Sequence, residues 1–121
     1  MASRSLVVKL TAGKDDPERS NQAFTVAAAA VASGVQVSLW LTGEASWFAV
    51  PGRTGDVALP HAVPLADLLA KILTEGTVTL CTQCAARRDL TQDDLITGIR
   101  IAGATTLVAE IMADGAQALI Y

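Results

Sequence analysis

Two hydrophobic periods take turns along this chain. Residues 5–11 (SLVVKLT) are rich in β-branched and long apolar side chains and read as a strand that Gly13 breaks. Asp16 then precedes Pro17. Proline suits the first position of a helix and aspartate caps its free amides, so a helix is expected here, with Glu18 adding favourable negative charge in the first turn. It runs through NQAFTVAAAAVAS to Gly34, a usual residue just past a helix end. Ala27 to Ala30 are small all round, which allows close approach to a sheet. Residues 35–42 (VQVSLWLT) read as a second strand. Residues 43–63 are the least regular stretch, with Pro51, Gly52, Gly55 and Pro60, and a short helical turn is expected at 44–49. Pro64 opens an amphipathic helix that gathers Leu65, Leu68, Leu69, Ile72 and Leu73 on one face and closes at Gly76. Residues 77–80 read as a short buried strand with Cys81 at its end. CTQCAARRD continues as helix. Thr91, with Asp94 three residues on, resembles a capping box, so another short helix is expected there, ended by Gly98. Residues 99–102 predict a strand, 104–113 a helix that ends at Gly115, and 118–121 a last strand.

Strands that alternate with helices require crossover connections, which are right-handed and give a parallel sheet covered on both faces. The expected fold is α/β: a three-layer α/β/α sandwich on a five-stranded parallel sheet. The 121 residues suit one domain spanning 1–121, with no internal repeat or linker.

Composition narrows the function classes. The chain is 51% hydrophobic but only 4% aromatic, so the core must be built from Val, Leu, Ile and Ala. The net charge of -3 argues against direct nucleic-acid binding. The longest apolar stretch, Ala23 to Ala32, contains Thr25 and is too short to span a bilayer. No signal-peptide pattern opens the chain, and two cysteines cannot staple a secreted scaffold. A cytoplasmic domain without membrane contact is the expectation.

In a doubly wound sheet, ligands sit beyond the C-terminal ends of the strands. Cys81 falls at such an end, and Cys84 falls in the first turn of the next helix, where free amides favour a thiolate. Both are candidate catalytic residues. Arg87 and Arg88 follow Cys84 by about one helical turn, so at least one guanidinium is expected on its face. The plain alternatives are buried, inert cysteines and arginines that complement a helix end. A structural zinc site normally takes four Cys or His ligands, and the chain offers only Cys81, Cys84 and the distant His61, so no metal is expected. His61 is a candidate base if its loop folds over the strand ends, and an exposed loop histidine otherwise. Trp47, beside Phe48, is a candidate for a pocket or a subunit contact, or for a cap on the local core. Gly13 follows the first strand as a candidate binding residue, but neither GxGxxG nor GxxxxGK[ST] follows it, so no dinucleotide or P-loop cofactor is expected.

The stretches DDPERSNQAFTVAAAAVASGVQVSLWLTG, PLADLLAKILTEGTVTLCTQCAARRDL and IAGATTLVAEIMADGAQALIY, with the opening strand, resemble the DsrE/DsrF-like sulfur-relay family over nearly the whole chain. In its sulfur-carrying members a cysteine stands six residues before an Arg-Arg-Gly. Cys81 stands at that distance from Arg87-Arg88, with Asp89 in place of the glycine. Cys84 is an addition relative to those members, although CxxC occurs in other branches. The resemblance implies homo-oligomers, commonly trimers or hexamers, and a Cys81 that accepts sulfane sulfur as a persulfide. It also implies sulfur donor and acceptor proteins as partners. The CxxC spacing adds that Cys84 can attack a Cys81 persulfide, releasing sulfide. Two other functions stand beside the sulfurtransferase reading: a dithiol–disulfide redox protein cycling Cys81 and Cys84, and a non-catalytic oligomeric protein that binds a small ligand near residues 43–63.

Overall fold

The structure, a computed structural model, describes residues 4–121. Five parallel strands, β1 (Ser5–Leu10), β2 (Gln36–Leu41), β3 (Thr77–Cys81), β4 (Arg100–Ala102) and β5 (Ala116–Ile120), form one sheet in the order β4-β3-β2-β1-β5. The helices are α1 (Pro17–Ala32), α2 (Leu65–Glu75), α3 (Thr82–Arg87) and α4 (Ala104–Ile111). Two 3-10 segments, Gly43–Ala49 and Arg53–Asp56, fill the irregular stretch, the first close to the expected turn.

The start of α1 follows its sequence signals. The Asp16 side chain accepts the Arg19 N–H, and Pro17 opens the helix. At the other end the Val35 N–H reaches the Ala30 carbonyl and the Gly34 N–H reaches that of Val31, with Gly34 at φ 82°. This paired closure needs a left-handed residue, which glycine adopts without strain.

Side-chain alternation sorts the sheet into two unlike faces. On one, Leu6, Val8 and Leu10 of β1, Val37, Leu39 and Leu41 of β2, and Val78 and Leu80 of β3 meet α1 and α2 through Phe24, Ala27, Leu69 and Ile72. Phe48 belongs to this core, the local-core reading left open for this pair: it is buried, edge-on to Phe24 with centroids 5.6 Å apart, while Trp47 beside it is half-buried.

The opposite face carries Lys9, Ser38, Trp40, Thr79, Cys81 and Arg100. Among the described residues the helix on this face is α4, which has eight residues and none of them buried. The Glu110 carboxylate of α4 anchors it, accepting from the Ser38 hydroxyl, from Trp40 Nε1 at 2.9 Å and from the Arg100 guanidinium. Burial pushes the Glu110 carboxyl up, but those donors and the Arg100 charge outweigh it and hold the carboxyl below its usual range. Val108, Met112 and Ile120 remain exposed beside this network.

Some boundaries differ from expectation. The helix expected after Thr91 is a single 3-10 turn, Gln92–Asp94, with its capping box present. The Gln92 side chain donates to the Ile99 carbonyl at 2.6 Å and folds the chain back before a longer helix can form. Strand β5 begins at Ala116 because the Ser5 N–H already bonds the Gly115 carbonyl.

Candidate active site

Cys81 ends β3 and is the cap residue of α3, on the sparsely covered face. It is half-buried, and Cys84 one turn on is buried; both are free thiols. Burial pushes the Cys81 thiol up. The Cys84 N–H, the Cys84 thiol, the Gln83 N–H and the Lys9 charge outweigh that effect, and the net shift is downward. No full capping hydrogen bond closes on the side chain. The amides act as dipoles aimed at the place a thiolate occupies.

Two loops wrap this corner. Gly43 sits at φ 53°, and a Cβ there would lie 2.8 Å from the Thr11 carbonyl oxygen, so only glycine fits. Its N–H donates to Cys84 Sγ at 3.3 Å. A Cβ on Gly13 would lie 2.5 Å from the Glu44 carbonyl oxygen, so this candidate binding residue lets the loop after β1 touch the segment after β2. The Gly13 N–H is occupied by Asp15 Oδ1 at 2.7 Å.

The two arginines part company. Arg88 Nη2 pairs with Glu44 at 2.9 Å, its Nη1 donates to the Cys84 carbonyl at 3.2 Å, and its guanidinium lies 6.0 Å from the Trp47 ring centre. Arg87 is exposed at the last turn of α3. Neither is among the groups that lower the Cys81 thiol. The geometry gives Arg88 to Glu44 and Cys84, and the cation that acts on Cys81 is Lys9. Trp47 is half-buried, with Arg53 at 4.7 Å over its ring, so two guanidinium groups lie near its ring. His61 is exposed in the loop before α2 at φ 59° and is not among the groups that act on Cys81.

Sequence reasoning passed over Lys9, Gly43 and Glu44. Lys9 carried a signal: it is the lone charge inside an apolar strand, at a parity opposite to Val8 and Leu10. Gly43 carried only a weak signal as a glycine after a strand, and Glu44 none, because its partner lies 44 residues on. Asp89 fills the place of the expected glycine at φ 54°. The Leu90 N–H bonds the Ala85 carbonyl and the Asp89 N–H that of Ala86, so α3 closes in the same manner as α1.

Among the described residues no group of three or more His, Cys, Asp or Glu side chains is gathered to hold a metal ion. A groove of about 440 Å³, lined in part by Ser38, Thr77, Arg100 and Glu110, lies toward the opposite end of the strands from Cys81. No helix among the described residues is long and apolar enough to cross a membrane.

Five parallel strands in one sheet, joined by helices, place the chain in the α/β class. The chain belongs to the DsrE/DsrF-like family, whose model matches residues 4–120. Among solved structures it is similar to the YchN protein of E. coli, with 18% identity, a TM-score of 0.77 and coverage of 96% of this chain and 99% of that one. It is also similar to MTH1491 of Methanobacterium thermoautotrophicum, described as a protein of unknown function, with 12% identity, a TM-score of 0.70 and coverage of 99% and 100%. At these identities the likeness establishes the fold. No curated protein matches the chain.

Proposed function

We propose that this protein is a sulfur carrier in which Cys81 accepts sulfane sulfur as a persulfide and relays it to a partner protein. The observation that carries this reading is the Cys81 thiol itself, half-exposed at the end of β3 and shifted toward thiolate by the Cys84 and Gln83 amides, the Cys84 thiol and Lys9. Family membership supports a role of the sulfur-relay type.

The chemistry balances without an added oxidant. The Cys81 thiolate attacks the outer sulfur of a donor persulfide. The donor S–S bond breaks, the donor thiolate leaves, and Cys81 carries the S–SH group. An acceptor thiolate then attacks that outer sulfur, and Cys81 leaves as thiolate. Lys9 faces the anion in both states and favours it by charge.

The exposed apolar side chains of α4 and β5, Val108, Met112 and Ile120, support association with further copies of the chain, as a trimer or hexamer. Light scattering on the eluting protein measures this directly.

Intact mass after exposure to glutathione persulfide tests the carrier reading. The wild type gains about 32 Da, and reductant removes the gain. Cys81→Ser abolishes loading, and Lys9→Met slows it. Loading that survives Cys81→Ser refutes the assignment of Cys81. A reversible disulfide with no sulfur uptake replaces the carrier by a redox pair.

A further inference from the structure

Cys81 and Cys84 stand at the cap and third positions of α3, the spacing by which Thr91 and Asp94 form a capping box a few residues later. In that arrangement the side chain of the third residue turns back toward the cap residue. For Thr91 the returning group is a carboxylate that accepts the Thr91 N–H at 2.8 Å. For Cys81 it is a thiol, which has one proton to donate and only weak acceptor capacity.

Cys84 is held from two sides. Its sulfur accepts the Gly43 N–H at 3.3 Å, and φ 53° with the Thr11 carbonyl close behind fixes Gly43 in place. Its carbonyl accepts Arg88, whose other nitrogen pairs with Glu44, the residue after Gly43. Backbone and sulfur of Cys84 are therefore tied to one segment, Gly43–Glu44. With Gly43 on the sulfur lone pair, the Cys84 proton remains available to a neighbour, and Cys81 stands one turn back at the cap of the same helix. Cys84 is also 7% exposed, away from any donor or acceptor protein.

We propose that Cys84 is a positioning residue that donates its S–H to the Cys81 sulfur and stays a thiol throughout transfer, instead of attacking the Cys81 persulfide. The proposal rests on the carrier reading for its reaction, and on the placement of Cys84 for the hydrogen bond: buried, one turn from Cys81 and tied to Gly43–Glu44. The charged and titratable groups that bear on Cys81 are Lys9 from β1 and Cys84 from α3; β4 sets Ala102 opposite it, and Glu44 and Arg88 engage each other.

The test uses the full chain as wild type, Cys84→Ser and Cys84→Ala. One readout is the rate of Cys81 alkylation by iodoacetamide across pH, followed by peptide mass. The other is intact mass over time after loading with glutathione persulfide. A serine hydroxyl also accepts from Gly43 and donates to Cys81, so Cys84→Ser keeps a profile close to wild type. Cys84→Ala moves the profile to higher pH and slows alkylation near neutrality by about three- to tenfold. Loaded wild type holds its added sulfur as long as Cys84→Ser does. Two results overturn the proposal: an Ala profile that coincides with wild type, or wild-type decay to a disulfide about 2 Da below the reduced mass while Cys84→Ser stays loaded. The second needs no folded Ala variant. If no variant takes up sulfur yet Ser and Ala still differ in alkylation, the carrier reading fails and the hydrogen-bonding role of Cys84 stands.

Discussion

One face of the sheet is oil and the other is wiring. Under α1 and α2, every inward side chain of β1, β2 and β3 is aliphatic, and two helices cover them. On the reverse, the same strands present Lys9, Ser38, Trp40, Thr79 and Cys81 with the aliphatic Val7 among them, and among the described residues one eight-residue helix crosses them, held by Glu110. Stability and chemistry are thus assigned to different sides of one set of strands. The strand period of two makes this separation possible, since neighbours in sequence face opposite sides: Leu80 packs in the core and Cys81, the proposed sulfur carrier, faces away from it.

The largest expected effect tests the apolar side. Phe24 is fully buried and meets Phe48 edge-on, so Phe24→Ala costs about 3–5 kcal/mol in denaturant titration, enough to threaten folding. A loss under 1 kcal/mol would dissolve the contrast between the faces.

Glu110 gives a smaller, pH-dependent effect. Its folded carboxyl is held below its usual range, so its contribution is present above the unfolded glutamate pKa of about 4.3 and fades as pH falls through the lower folded value. Glu110→Gln is therefore less stable than wild type by about 1–2 kcal/mol at neutral pH, and the two converge in acid. Parallel stability curves from pH 7 to pH 3 would mean that Glu110 does not anchor α4 through its charge.

The smallest effect on the single chain is expected at Val108, which is 57% exposed. Val108→Asp changes monomer stability by within about 0.5 kcal/mol but abolishes the proposed self-association in light scattering. An intact oligomer would move the subunit contact away from α4. Unfolding of the chain would show that α4 is part of the core after all.

Local signals in the sequence were good guides where a residue acts on its immediate neighbours. Asp16, Pro17 and Gly34 bound α1, and the leucines of α2 face the core as their spacing predicts. Position 81 was readable because a strand end followed by a helix start is also a local pattern. The surroundings of Cys81 were not. Lys9, Gly43 and Glu44 reach this corner from β1 and from the segment after β2, and their contacts depend on strand order and loop approach, which no local period encodes. The Glu110 network likewise joins Ser38 to a residue 72 positions later. Arg88 shows the converse. Its place one turn after Cys84 suggested service to the thiolate, yet Glu44 competes for it with a full negative charge, and Arg88 pairs with Glu44 and the Cys84 carbonyl instead.

The pairing of β1 with β5 sets the order in which the protein comes apart. Ser5 lies opposite Ala116, so this seam joins distant parts of the chain and closes only after a long loop is drawn in. It is fastened at its end by Thr11, whose N–H and hydroxyl both donate to the Tyr121 carbonyl. Behind it stand few buried contacts, since β5 has no buried residue and α4 has none. Amide hydrogens in β5 therefore exchange with solvent by release of the α4–β5 unit, while those of β2 wait for global unfolding. Each release bares the edge of β1, a row of unpaired amides and carbonyls able to template a foreign strand. In the opened state Lys9 lies on that bared edge, where a charged side chain opposes such pairing. The lysine whose charge favours the Cys81 thiolate in the closed protein opposes aggregation in the open one.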